Sequence, residues 1–355
     1  MPGDTSARPS TTHQTPEERQ RRRRRRGIIV GVAVVGVAAL GVGGIVVAAP
    51  LLRSYGIYVV PPSPQQYAEF ALDEMSHGLD ATPDHYAEVR AETLAEVATA
   101  TDYAGTYDAL AKAATELGGP HTTFADPAKA AEMFGPSSGG NSQNQLPTVS
   151  SADGVTTIRL PTLIGGGTGS DSFGQKYIDT VVAAIGKAAP STSAWVVDLR
   201  ENHGGNVWPM LAAVAPLLDD GTVETFDSVD TSTIISVDGG AISSGGKEQS
   251  AASAPQPKVG GPVAVVVNGM TGSSAEAVAI AFIGQSNVRV FGQPSYGFST
   301  ANQPMRLYDG AVVNLTVAVD ADRTGKRYGV PIEPDETIDD TQLTGAMETW
   351  LATVA

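Results

Sequence analysis

The stretch "NGMTGSSAEAVAIAF", Asn268 to Phe282, decides the fold class. It follows the apolar run "GPVAVVVNG", residues 261–269, which has the form of a strand buried on both faces. The alanine-rich segment behind the serines has helical spacing, so Ser273 and Ser274 sit at a strand-to-helix turn. The first turn of a helix carries unpaired backbone N–H groups and the positive end of the macrodipole, which favours negative charge. Ser273 with Glu276 three residues on also has the form of a capping box, and on this stretch alone both readings stand.

Outward from this turn, strand-like runs recur at "GVTTIRLPTL", "AWVVDLR", "GTVETFDSV", "NVRVFG" and "AVVNLTVAV". Helical patterns fall between several of them, at "SFGQKYIDTVVAAIGKAA", "VWPMLAAVAPLLD" and "SAEAVAIAFIGQ". Strands interleaved with helices predict an α/β layer structure with a mixed, partly parallel sheet and flanking helices. Two segments rich in Gly, Ser and Pro, "GPSSGGNSQNQLP" and "DGGAISSGGKEQSAASAPQP", read as loops. Before residue 120 the chain has helical spacing without strand-like runs. Thr82-Pro83 reads as a helix start and Gly118-Gly119 as a stop, giving a small helical subdomain. The expected organisation is a basic tail at 1–26, a transmembrane anchor at 27–52, the helical subdomain at 53–119 and an α/β core at 120–355.

The anchor rests on residues 27–52, uncharged throughout and longer than the about 20 residues a helix needs to span a bilayer. Arg21 to Arg26 predict a cytoplasmic N-terminus and an extracytoplasmic remainder, a single-pass protein of the cell membrane. The apolar stretch exceeds the h-region of a cleaved signal. Of the chain's net charge of −15, residues 1–26 carry eight Arg and three acids, leaving 15 bases against 35 acids. That exterior argues against nucleic acid as a partner and attracts cationic peptides. With no cysteine, the exported part relies on its own core.

In open α/β sheets active groups collect at the carboxyl ends of strands. Ser273 is at one such end, and "VVDLRENHGGNVWPM" leads to another, where Gly204 and Gly205 let backbone N–H groups turn toward a ligand. Asp198 and Arg200 read as an internal ion pair holding that loop. A serine nucleophile needs a neighbouring base. His13 falls on the cytoplasmic side and His77 and His85 in the helical subdomain, leaving His121 and His203. No metal or organic cofactor is expected, since the histidines lack ligand spacing and no phosphate loop is present.

These residues resemble the tail-specific, or carboxy-terminal processing, serine peptidases. The pieces "LGGPHTTF", "VVDLRENHGGN", "TGSSAEA", "GQPSYG" and "YGVPIEPDE" stand in the family's order and cover most of the chain from about residue 60. The branch most similar is that of the nisin resistance protein. The resemblance implies a ClpP/crotonase-like peptidase core and makes Ser273 the nucleophile, with Ser274 and Gly205 giving N–H groups to an oxyanion. Where many members carry a lysine base this chain has Phe298, so the resemblance points to His121 as base in a Ser-His dyad. His203 is the rival base, Glu333 a possible helper or a solvated acid in a turn, and Glu276 a cap of the nucleophile helix. Residues 122 to 197 leave no room for a PDZ module, so the groove itself must grip the substrate, a peptide or protein tail, by strand-edge pairing. The alternatives are an inactive peptide-binding receptor on the same fold and a factor that sequesters cationic peptides.

Overall fold

Ser63 starts the first helix by a reciprocal cap: its Oγ accepts the Gln66 N–H at 3.2 Å and Gln66 Oε1 accepts the Ser63 N–H at 3.1 Å. The computed structural model describes residues 60–134, 144–167, 169–254 and 257–354, and within the chain Ser63–Ala355 forms one compact unit. The predicted basic tail and anchor at 1–52 lie outside the described residues. No helix among the described residues is long and apolar enough to cross a membrane.

Helices α1 (Pro64–Met75), α2 (Pro83–Glu96) and α3 (Tyr107–Gly118) come first, α2 opening at Thr82-Pro83 and α3 closing where Gly119 turns at φ 79°. Then follow β1 (Thr123–Ala125), α4 (Pro127–Phe134), β2 (Thr148–Ala152), β3 (Val155–Arg159), α5 (Phe173–Ala188), β4 (Ala194–Asp198) and α6 (Val207–Val214). The second half holds β5 (Gly221–Asp227), β6 (Ser232–Asp238), β7 (Ala241–Ser244), β8 (Lys247–Ser250), β9 (Val263–Val267), α7 (Ser274–Phe282) and β10 (Val288–Gly292). The chain ends with β11 (Thr300–Arg306), β12 (Val312–Asp322), β13 (Glu336–Thr337) and α8 (Asp340–Val354).

The strands form two sheets. One has the order β13-β10-β9-β4-β3-β2, parallel except for β2 against β3, and every residue of β4 and β9 is buried. The other is antiparallel, β1-β12-β5-β6-β7-β8, with β11 also paired to β12. Helices α5, α6 and α7 cover one face of the parallel sheet through Tyr177, Ile185, Met210, Val278 and Phe282, against Ile158, Trp195, Val197 and Val265. Each such buried side chain contributes about 1.5–3 kcal/mol. Helix α8 covers the other face with Leu343 and Trp350, the latter ring 5.6 Å from Phe291. The first three helices pack Leu72, Met75, Leu110 and Leu117 on Leu307, Val313 and Leu315, so they share a core with β12.

Within the Gly/Ser-rich segment expected to be a loop, residues 241–250 instead form strands β7 and β8, which continue from β6 as a β-meander. Its two-residue turns, Gly239-Gly240 and Gly245-Gly246, have φ of 55°, 90°, 56° and 77°, positive at both central positions as type I′ hairpins require. Ile242 between them is fully buried.

Candidate active site

Ser273 stands between β9 and α7 in a backbone conformation, φ 54° and ψ −124°, that costs a non-glycine residue about 1–3 kcal/mol. Glu276, fully buried one turn on, holds that turn: its Oε2 accepts the Ser273 N–H at 2.8 Å, and its Oε1 accepts Ser295 Oγ–H at 2.5 Å and the Gly297 N–H at 2.9 Å. Burial raises the Glu276 carboxyl, and these hydrogen bonds oppose the rise. The cap expected at Glu276 is therefore present, and it also ties α7 to segment 295–297.

The loop after β4 lies directly against this turn. A Cβ on Gly204 would stand 2.7 Å from Gly272 O, 2.8 Å from Ser273 Cβ and 2.9 Å from Ser274 N, and Gly204 itself has φ 92°. Only glycine allows that approach. The neighbouring Gly205 has φ 116°, and its carbonyl accepts Ser274 Oγ–H at 2.7 Å. The N–H groups of Ser274 and Gly205 donate to no group among the described residues. They are two backbone donors without a partner where the two loops meet. The loop is pinned by Asn202, whose Oδ1 accepts the Gly204 N–H, whose Nδ2 donates to Leu160 O, and whose carbonyl accepts the Gly272 N–H. The predicted Asp198–Arg200 pair forms with two-point geometry, Nε to Oδ1 at 2.9 Å and NH2 to Oδ2 at 2.8 Å.

His121 lies between α3 and β1. Its Nδ1 is 2.7 Å from Thr300 Oγ1, its ring stacks on Phe298 at 4.6 Å and 20°, and its carbonyl accepts Asn302 Nδ2–H. Phe298, where a lysine stands in many relatives by resemblance, thus serves as a flat apolar wall. Burial lowers the imidazole to about 4 from 6.5, so it is neutral at physiological pH. When Nδ1–H donates to Thr300 Oγ1, Nε2 carries the lone pair a base needs.

No direct hydrogen bond joins Ser273 and His121; the link between them runs through other residues. Glu276 joins the Ser273 N–H to Gly297, and the next residue, Phe298, carries the imidazole. His203 is exposed, and its N–H donates to Thr162 Oγ1 at 2.8 Å. Glu333 is exposed in the segment after Ile332, and neither side chain bonds to the Ser273 turn. Among the described residues no group of three His, Asp or Glu assembles that would hold a metal. Thr300, at the start of β11, and Asn202 and Ser295, in loops, escaped sequence reasoning, because a lone polar residue gives no signal of what it will face.

Residues 154–338 match the sequence profile of peptidase family S41. The chain belongs to that family. It is 33% identical over 285 residues to the nisin-resistance protein of Lactococcus lactis subsp. lactis, a match covering 79% of this chain and 85% of that protein. A lipoprotein from Streptococcus agalactiae has the same fold, with TM-score 0.71 and 23% identity over 84% of this chain and 99% of its own. The photosystem II D1 C-terminal processing protease shares it more distantly, with TM-score 0.53 and 16% identity over 83% and 98% of the two chains. This places the chain among the tail-specific serine peptidases, with a protease-like function.

Proposed function

We propose that the protein is a membrane-anchored, extracytoplasmic serine endopeptidase that cuts peptides or protein tails near their C-terminus. In this reading Ser273 Oγ attacks the scissile carbonyl while His121 Nε2 takes its proton. The oxyanion is held by the N–H groups of Ser274 and Gly205, and the imidazolium returns the proton to the leaving amine. Water, deprotonated by the same imidazole, then hydrolyses the acyl-enzyme and restores Ser273. Thr300 Oγ1 orients the imidazole by accepting from Nδ1–H, and Glu276 holds the Ser273 turn. Helpers at Glu333 or His203 are not needed for these steps.

The observation that carries the reading is the pair of unengaged N–H groups beside a serine at positive φ. The uncharged stretch at 27–52 and the similarity to the lactococcal nisin-resistance protein support the cell envelope as the site of action and make nisin the first peptide to try. The deciding experiment treats the full chain with a serine-reactive fluorophosphonate and maps the adduct by mass spectrometry. Labelling at Ser273 that disappears in His121→Ala supports the dyad. Undiminished labelling in that variant, or turnover by Ser273→Ala, refutes it.

The receptor reading is favoured by one observation, the absence of a direct Ser273–His121 hydrogen bond. Binding of peptides by wild type without any turnover selects it. Protection of cells from a cationic peptide that survives in Ser273→Ala selects sequestration instead.

A further inference from the structure

Beside the oxyanion loop is a cleft of about 220 Å³ lined by Gln145, Arg159, Pro161, Thr162, Arg200 and Glu201. It opens at the carboxyl ends of the parallel strands β3 and β4, where Arg159 is the register partner of Asp198. Asp198 is already occupied by Arg200, so its charge is spent within its own strand end. Arg90, Arg200, Arg289, Arg323 and Arg327 each have an acidic partner, whereas Arg306, on β11 and away from this cleft, has none among the described residues. Arg159 is exposed and has no ion-pair partner among the described residues, although acids outnumber bases 38 to 23 in the chain. Glu201, which also lines the cleft, accepts Asn268 Nδ2–H at 2.9 Å and keeps its charge.

The cleft is coupled in space to the reacting centre. Segment 161–165 runs alongside the oxyanion loop, with Leu163 N–H donating to Gly204 O and Asn206 N–H donating to Leu163 O. Thr162, one residue before that ladder, lines the cleft and accepts the His203 N–H. Arg159 lies three residues before Thr162, about 10 Å at the ~3.3 Å rise of an extended chain. A peptide whose carbonyl rests on the Gly205 N–H and whose chain follows this segment reaches Arg159 with about three further residues.

We propose that this cleft is a carboxylate subsite in which Arg159 binds the free α-carboxylate of the substrate's last residue, so that the protein removes short tails measured from the C-terminus. The proposal rests on the peptidase reading above. A guanidinium suits the role because its fork matches a carboxylate at two points and stays charged at every working pH. A chain without a PDZ module thereby has a way to sense an end, which strand-edge pairing alone does not provide.

The test uses the full chain in detergent and peptides of one sequence in three forms: a free C-terminal acid, a C-terminal amide, and an amide with Glu placed three residues beyond the scissile bond. A charge-assisted hydrogen bond contributes about 1.5–3 kcal/mol, so amidation should lower kcat/KM about 10- to 100-fold, mostly through KM, with cuts clustered about three residues from the free end. Arg159→Ala should reduce cleavage of the acid to the level of the amide and leave cleavage of the amide unchanged. Equal cleavage of acid and amide by wild type, or a preference that persists in Arg159→Ala, overturns the proposal while leaving the peptidase reading intact. Rescue of the amide by the internal Glu moves the ligand from the terminus to an acidic side chain and overturns the tail assignment. Fluorescence anisotropy of the same peptides on Ser273→Ala, with and without Arg159→Ala, reads the subsite without turnover. If wild type cuts nothing, the peptidase reading fails, and the acid-over-amide binding ratio still decides the subsite.

Discussion

The imidazole of His121 should give the protein an acid limb far below that of an ordinary histidine-dependent enzyme. Burial lowers His121 to about 4 from 6.5, and the charged groups needed to reverse that shift are absent from its contacts, a phenylalanine ring and a threonine hydroxyl. At pH 5 a base with a value near 4 is about 90% neutral, whereas one at the ordinary 6.5 is about 3% neutral, a difference of about 30-fold in active enzyme. The assay is kcat/KM against pH from 3.5 to 8 on a cleavable peptide, since that ratio reports the free enzyme. Stability supplies a second arm. The folded state refuses a proton that the unfolded chain binds below 6.5, so stability is fully present above 6.5 and is lost as pH falls through 4. The whole loss is up to about 3 kcal/mol, and His121→Gln should remove it from the pH dependence of the thermal midpoint. A rate limb centred near 6.5, with no difference between wild type and His121→Gln in the pH dependence of unfolding, would refute the reasoning and move the base elsewhere.

Glu276→Gln leaves one oxygen for three donors and turns an amide toward the Ser273 N–H, so it should cost about 1–3 kcal/mol and lower kcat/KM; full activity at unchanged melting temperature contradicts the tie. Gly204→Ala puts a methyl within 2.9 Å of Ser274 N and should reduce kcat about 10²- to 10³-fold by displacing the oxyanion donors, with an unchanged far-ultraviolet dichroism spectrum. Thr300→Val removes the acceptor for Nδ1–H, and a loss of about 0.5–1.5 kcal/mol corresponds to about 2- to 12-fold in kcat at constant KM, measured by steady-state kinetics. Glu224 and Asp320 are both buried with unpartnered oxygens, and burial, with Asp320 adding its field at Glu224, raises both carboxyls well above their ordinary values. Folding therefore loses stability as pH rises above the unfolded value, so Glu224→Gln should melt higher than wild type at pH 8, with the gap closing toward pH 4 in a thermal-shift series.

The strand-to-helix turn at Ser273, the glycine pair at 204–205 and the parallel strands were legible because each has a local signature: an apolar run, a helix start, two glycines at a strand exit. Three features were not legible. The part of the meander at 238–250 has the composition of a loop, because its hairpins consist largely of turn residues and its outer strand, "KEQS", is mostly exposed. Glu224 reads as one step of an alternating strand, yet a register shift between Thr222 and Glu224 places it inside next to buried Val223. Thr300 and Ser295 act through partners far away in sequence, 179 and 19 residues off, and nothing near them announces those partners. The role of α8 as cover for the second face of the parallel sheet, through Leu343 and Trp350, follows only once that sheet is built.

The two halves of the proposed dyad come from different sheets: Ser273 from the end of β9 in the parallel sheet, His121 from the start of β1 in the antiparallel one. The crossing from β10 to β11, residues 293–299, contacts the surroundings of both. Its first part faces the serine, through Ser295 and Gly297 on Glu276, and its last part faces the histidine, through Phe298 and then Thr300. Segment 329–332 clamps the same crossing: Ser295 Oγ accepts the Ile332 N–H, Ser299 Oγ–H donates to Val330 O, and a Cβ on Gly297 would meet Pro331 Cδ at 2.8 Å. A crossing fixed at both ends acts as a spacer. If the dyad is as proposed, its geometry depends on the register of these seven residues, and a single-residue insertion within 293–299 should abolish turnover of a cleavable peptide while the melting temperature stays close to that of wild type; full activity of such a variant would refute the spacer role.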